Sequence, residues 1–179
     1  MKNNKYNKRW HPKEMLFNST VPVAAASWLF NPSSLTKRLL LRCPKKFSVK
    51  LISQSVKRPS LDEARALKIR MGRSALIREV LLYCGDEPVV YARTVIPLNT
   101  LSGAQNSYSN LGNRPLGAML FSDRTMRRDK VEITTMSPDK LLTIKAGSLD
   151  EVIWGRRSVF HVGGKPLLVC EFFLPAIYQ

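Results

Sequence analysis

The sequence predicts an α+β domain built on a single antiparallel β-sheet. Two pairs of apolar, β-prone runs are joined by short turn signals. Residues 74–84 lead to 89–97 through Gly85-Asp86-Glu87-Pro88, and residues 152–162 lead to 165–175 around Gly163-Gly164. Strands joined this way are hairpin partners, and hairpin partners run antiparallel. The helical patterns are bunched early and mid-chain, as an α+β arrangement requires.

The elements follow in order. Residues 1–20 include Lys2, Lys5, Lys8, Arg9 and Lys13 and read as a basic, flexible N-terminal segment, with the domain running from 21 to 179. Pro22 suits the first turn of a short helix reaching about Phe30. Asn31-Pro32 breaks it, and Ser33 or Ser34 caps a second helix through Leu40. Residues 46–53 alternate polar and apolar, with Phe47, Val49 and Leu51 inward, and read as a half-buried strand. The stretch 54–73 is ambiguous, though 61–69 fits a short helix. Residues 99–113 are polar, hold Gly103 and Gly112, and form a loop with room for one helical turn. A short helix over 114–121 and a further strand over 125–134 come next, then an excursion over 136–151.

The chain has 179 residues, 44% of them hydrophobic, enough for one domain with a proper core. Its formal net charge of +16 fits a nucleic acid, an anionic membrane surface or a small acidic ligand drawn by the field of the whole protein. No helix-turn-helix, zinc-finger or aromatic RNA-binding motif accompanies that charge, so specific nucleic-acid binding is not expected. Cys43, Cys84 and Cys170 are odd in number and widely spaced, which argues for a reducing compartment and against a metal site or a disulfide. With only His11 and His161, a histidine-based zinc site or a Ser-His-Asp triad has little material. Neither a GxxxxGKS loop nor GxGxxG after a strand is present. Residues 15–30 imitate a signal peptide, but Asn18, Ser19, Thr20 and Pro22 interrupt the apolar run, so a cytoplasmic protein without a membrane anchor is expected.

One carboxylate carries the chemical interest. In the last strand Glu171 shares a face with Leu167, Val169 and Phe173, while Leu168, Cys170, Phe172 and Leu174 take the other. Neither face is polar, so Glu171 is expected to be buried and to need a partner. Arg78, in register with Leu76, Val80 and Leu82, is the partner the sequence offers, and the two suggest a small enclosed polar site. A structural salt bridge, or an Arg78 turned to water beside Glu79, is the competing reading. Arg156 and Arg157 point opposite ways on a strand, so at most one can line the Glu171 face, and the other is expected to be solvated. The run Arg127-Arg128-Asp129-Lys130 reads as solvated charge.

From Arg78 onward these residues resemble the chorismate pyruvate-lyase family. The resemblance is carried by Ile77-Arg78-Glu79-Val80-Leu81-Leu82, Ala92-Arg93-Thr94-Val95-Ile96-Pro97, Thr100-Leu101-Ser102-Gly103 and Pro115-Leu116-Gly117. It continues through Arg128-Asp129, Trp154-Gly155-Arg156-Arg157-Ser158 and Gly164-Lys165-Pro166-Leu167-Leu168 to Glu171 and Leu174-Pro175. Upstream, Trp28-Leu29 and Ser34-Leu35-Thr36-Lys37-Arg38 resemble the first helices of that family.

The resemblance implies a monomeric enzyme without cofactor or metal, its internal ligand site enclosed by helical flaps. Such an enzyme splits chorismate into 4-hydroxybenzoate and pyruvate for ubiquinone synthesis. It implies that Arg78 binds the ring carboxylate, that Glu171 sits at the ring hydroxyl, and that Leu116 binds from a flap. The flap methionine of the family falls at Leu35 here, an apolar exchange of similar volume. Glu171 could orient the hydroxyl or accept the departing proton, with its apolar strand raising its pKa. Arg156 or Arg157 is a candidate donor for the second carboxylate. The spacer between Val131-Glu132-Ile133 and Trp154 is longer than the family shows, which implies a larger surface loop. The rival reading is a non-catalytic effector-binding domain of the GntR-regulator type. About 27 residues precede the matched region, too few for the winged helix such regulators carry.

Overall fold

The computed structural model describes residues 10–16, 21–44, 46–137 and 152–179. Among them lie β1 (His11–Pro12), α1 (Val23–Leu29), α2 (Leu35–Arg42), β2 (Phe47–Lys57), α3 (Leu61–Ala66), β3 (Ala75–Cys84) and β4 (Glu87–Pro97). A 3-10 segment (Gly103–Asn110), α4 (Leu116–Ser122), β5 (Arg127–Arg128), β6 (Glu132–Met136), β7 (Ile153–Val162) and β8 (Lys165–Phe173) complete the core elements. The strands make one sheet in the order β1-β6-β7-β8-β4-β3-β2, with β5 also paired to β7. Every pairing is antiparallel, as expected.

Local chemistry explains the elements. The Ser34 hydroxyl accepts from Lys37 N and starts α2. Ser60 and Glu63 form a reciprocal capping box that settles the ambiguous stretch as α3. Gly163 and Gly164, at φ +56° and +75°, make the tight β7–β8 turn in a backbone region that glycine adopts without strain. Gly155 has a different reason to be glycine, because a Cβ there would lie 2.5 Å from the Phe172 ring on the neighbouring strand.

Three expectations change. The single strand over 125–134 is two, because Arg128 faces Phe160 while Glu132 faces Arg157. The first chain thus advances four residues against three on β7, a bulge that interrupts the ladder. The short strand β1 pairs with β6 and was not foreseen. Cys43 and Cys84 form a disulfide, contrary to the reading of the cysteines. Phe47 lies opposite Cys84 in the β2–β3 ladder, and its N–H donates to Cys43 O, so the turn after α2 lays Cys43 beside Cys84. Sequence spacing does not show this contact, and the cysteine pattern no longer supports a reducing compartment. The expected basic terminus and the excursion lie largely outside the described residues, at 1–9, 17–20 and 138–151. No described helix is long and apolar enough to cross a membrane.

Alternation divides the sheet into two faces. One buries Ile77, Leu81, Val95, Leu168 and Phe172 with Leu67 after α3. The other buries Val80, Leu82, Val90 and Phe173 under α1 and α2, and Leu76, Ile96, Val169 and Leu167 under the 3-10 segment and α4. Full burial of each large apolar side chain contributes about 1.5–3 kcal/mol.

The α3 face also holds paired charge. Arg93 Nε donates to Glu63 at 2.7 Å and its Nη1 donates to Glu79 at 3.0 Å. Arg157 bridges Asp62 and Glu132. Burial opposes ionisation of Glu63, but the hydrogen bonds and charge of Arg93 outweigh it and hold the carboxyl below the usual range. Glu79 is lowered in the same way, against burial, by Tyr91, Ser53 and Arg93. A depressed carboxylate stabilises the fold above its unfolded pKa, about 4.3, and loses that contribution as pH falls. Unfolding free energy from denaturant titrations should therefore drop below about pH 4.3, with a shallower slope in Glu63→Gln. Identical slopes would remove Glu63 from this linkage.

Candidate active site

The inner face of the sheet forms the floor of a cavity, and α2 and α4 form its cover. About 580 Å³ of empty space, counting the open solvent at its mouth, lies between them. Leu35 and Thr36 reach it from α2, and Leu116, Gly117 and Leu120 reach it from α4. Arg78, Thr94, Ala92, Val169 and Glu171 rise from the floor. The expected site residues Leu35, Arg78, Leu116 and Glu171 thus line one cavity.

The expected Arg78–Glu171 pair does not form. The ladders set Arg78 opposite Thr94, and Glu171 opposite Ala92. Arg78 and Glu171 are therefore separated by the whole of β4, about 10 Å between strand axes, and offset by one row of side chains. They stand apart across the floor. Glu171 Oε2 instead accepts from Arg156 Nε at 2.6 Å, so its surroundings are cationic as well as apolar. Arg156 is 2% exposed, and its Nη1 donates to Trp28 O at 2.9 Å and Asn31 O at 2.8 Å. One guanidinium thus holds the end of α1 and the carboxylate together.

Arg78 is also 2% exposed, so the reading that turns it to water fails. Its Nη2 donates to Gly112 O at 2.9 Å and Arg114 O at 3.0 Å, tying down the loop that leads into α4. No carboxylate among the described residues pairs with it, and its buried Nε has no hydrogen-bond partner. Burial pushes its pKa down, the direction for a cation removed from water without a counter-charge. A guanidinium in that state is prepared for an anion.

Two further arginines depart from expectation. Arg157 is not solvated; it is 6% exposed on the opposite face, so of the two candidates only Arg156 lines the cavity. Arg128, read as part of a solvated run, lines the cavity as well. The two-residue strand β5 turns it onto β7, where its Nε donates to Ser158 Oγ at 3.0 Å. Its place inside the Arg128-Asp129 motif was the available signal. Among the described residues, three guanidiniums and one carboxylate line the cavity, a formal charge of +2. That arrangement suits a small dianion.

The cover closes tightly. A Cβ on Gly117 would lie 2.5 Å from Thr36 Oγ1, while Thr36 Cβ stands at 3.4 Å. Gly117→Ala should push α4 from α2 and lower stability by about 1–3 kcal/mol in denaturant titrations. Adding Thr36→Ala, which removes the hydroxyl, should restore most of the loss. Failure of that rescue would mean that the helices are not in direct contact here.

The chorismate lyase family model matches residues 5–179 of this chain. A probable chorismate pyruvate-lyase from Methylococcus capsulatus is 46% identical over 154 residues, covering 84% of this chain and 94% of that protein. Another from Nitrosospira multiformis is 37% identical over 178 residues, covering 95% and 94%. Among solved structures, a GntR-family transcriptional regulator from Bacillus cereus superimposes with a TM-score of 0.58 at 14% identity, covering 75% of this chain and 96% of that one. The C-terminal domain of a histidine utilization repressor from Pseudomonas syringae gives 0.55 at 14% identity, covering 74% and 94%. At that identity the likeness shows a shared fold alone.

Proposed function

The chain belongs to the chorismate lyase family, a family of lyases, and from that premise we propose that it converts chorismate to 4-hydroxybenzoate and pyruvate, supplying ubiquinone synthesis. The observation that carries this reading is Arg78, a buried guanidinium without a carboxylate partner among the described residues, in a cavity of formal charge +2. Chorismate is a dianion on a single ring. Its enolpyruvyl ether stands on the carbon next to the one bearing the hydroxyl.

The reaction needs no change of oxidation state from the protein. The ring C–O bond breaks with its electron pair on the ether oxygen, and the proton on the hydroxyl-bearing carbon is lost. The ring becomes the aromatic phenol, and the departing enol tautomerises to pyruvate. Aromatisation supplies the driving force, so the residues must bind, orient and exclude water.

Arg78 holds the ring carboxylate through its unpartnered Nε, a fixed and permanently charged donor that lysine does not reproduce. Glu171, the one carboxylate among the described residues that line the cavity, orients the hydroxyl and takes up the proton, its Oε2 held by Arg156. Leu35 and Leu116 press the ring from the flaps. We place the step in the cytoplasm, since a dianion does not cross a bilayer unaided. The Cys43–Cys84 disulfide would be an exception to the usual state of cysteines there.

Purified protein mixed with chorismate should release 4-hydroxybenzoate and pyruvate in equal amounts. A folded protein that binds 4-hydroxybenzoate but releases neither would be an effector-binding domain. Arg78→Ala should weaken 4-hydroxybenzoate binding by about 100-fold in calorimetry; unchanged affinity would remove Arg78 from the site. Glu171→Gln should lower kcat by about 10²- to 10⁴-fold while the chain still folds by circular dichroism. A near-normal kcat would rule out an essential carboxylate.

A further inference from the structure

We infer that Arg128 is the residue that binds the enolpyruvyl carboxylate of chorismate, and so selects the dianionic substrate over the monoanionic aromatic product. The inference rests on the lyase reading above. In that reading Arg78 takes the ring carboxylate and Glu171 faces the hydroxyl, which leaves one substrate carboxylate unassigned. The enolpyruvyl ether is on the ring carbon adjacent to the hydroxyl. Its carboxylate therefore lies toward the Glu171 side of the cavity, away from Arg78.

Of the cations on that side, one has no acid partner among the described residues. Arg157 belongs to the opposite face, where it bridges Asp62 and Glu132. Arg156 lines the cavity, but Glu171 meets its charge at Nε and the carbonyls of Trp28 and Asn31 take Nη1, which leaves Nη2 alone uncommitted on a guanidinium that already has an acid. Arg128 lines the same cavity and is near enough to Arg156 and Glu171 to feel both charges. Burial first, then repulsion from Arg156, lowers its pKa, with Glu171 acting the other way.

The side chain is held by its base and open at its tip. Nε donates to Ser158 Oγ at 3.0 Å, Nη1 makes only a long 3.4 Å contact with Pro32 O, and the Phe160 ring lies beneath at 5.2 Å from its centroid. Nη2 makes no hydrogen bond and no acid pairs with the group among the described residues. A guanidinium oriented by three neighbours, with donors to spare, is preorganised for a carboxylate.

The product lacks the enolpyruvyl carboxylate, so comparing substrate with product isolates this contact. In Arg128→Met, KM for chorismate should rise by about 10- to 100-fold. Calorimetric affinity for 4-hydroxybenzoate should stay within about twofold of wild type, and Arg128→Lys should recover part of the KM loss. An unchanged KM for chorismate, or an equal loss of product affinity, would overturn the assignment while wild-type turnover left the lyase reading intact. Should Arg128→Met not fold, Arg128→Lys decides alone: a raised KM with normal product affinity supports the assignment, and wild-type KM overturns it. A wild-type protein without turnover would defeat the lyase reading, and this assignment with it.

Discussion

The ion pair between Arg156 and Glu171 is the constraint on which the site depends. Arg156 is almost wholly buried, and both its Nε and its Nη1 are committed. Through Nε it holds the carboxylate on β8, the middle strand of the sheet order. Through Nη1 it satisfies a carbonyl at the C-terminus of α1, where no intrahelical donor exists. Trp28 and Phe173 pack beside it with ring centroids 6.2 Å apart, and its guanidinium lies 5.5 Å from the Phe173 centroid. Removing either charge would strand the other in a low-dielectric environment. The entry of the chain into α2 and the orientation of the Glu171 carboxylate are therefore set by one side chain.

The two faces of the sheet use charge differently. On the α3 face, Arg93 and Arg157 share Glu63, Glu79, Asp62 and Glu132. Those contacts are mutually satisfied and stabilise the packing of α3 on the strands. On the cavity face, Arg78 and Arg128 have no acid of their own among the described residues, and Arg156 has Glu171. Buried cations left without counter-charges cost stability, and such costs are tolerated where a ligand supplies the missing charge. The net charge of +16 assists by drawing in an anion, but the location of the unpaired guanidiniums defines the site.

The same architecture serves proteins of other kinds, as the GntR-family structures show at the level of fold. In this chain the fold is a sheet whose inner face is covered by short helices, with a cavity between them. The floor places Glu171 across from Arg78, with Ala92 and Thr94 of β4 between them. Small side chains at those positions keep the floor low and leave the cavity open above it.

Much of this was legible in the sequence. Period-two alternation placed Arg78 with Val80 and Leu82, Glu171 with Val169, and Arg156 opposite to Arg157, because side-chain direction along a strand is a local property. Caps and turns such as Ser34 and Gly163-Gly164 located element ends for the same reason. Partners were another matter. That Glu171 takes Arg156 rather than Arg78, that Arg128 turns inward at a bulge, and that Cys43 meets Cys84 all follow from strand order and register. Those are decided by the packing of segments distant in sequence, which no local periodicity encodes. The sequence by itself determined which faces the charged residues occupy, and only the tertiary structure decided which of them meet and which are left open for a ligand.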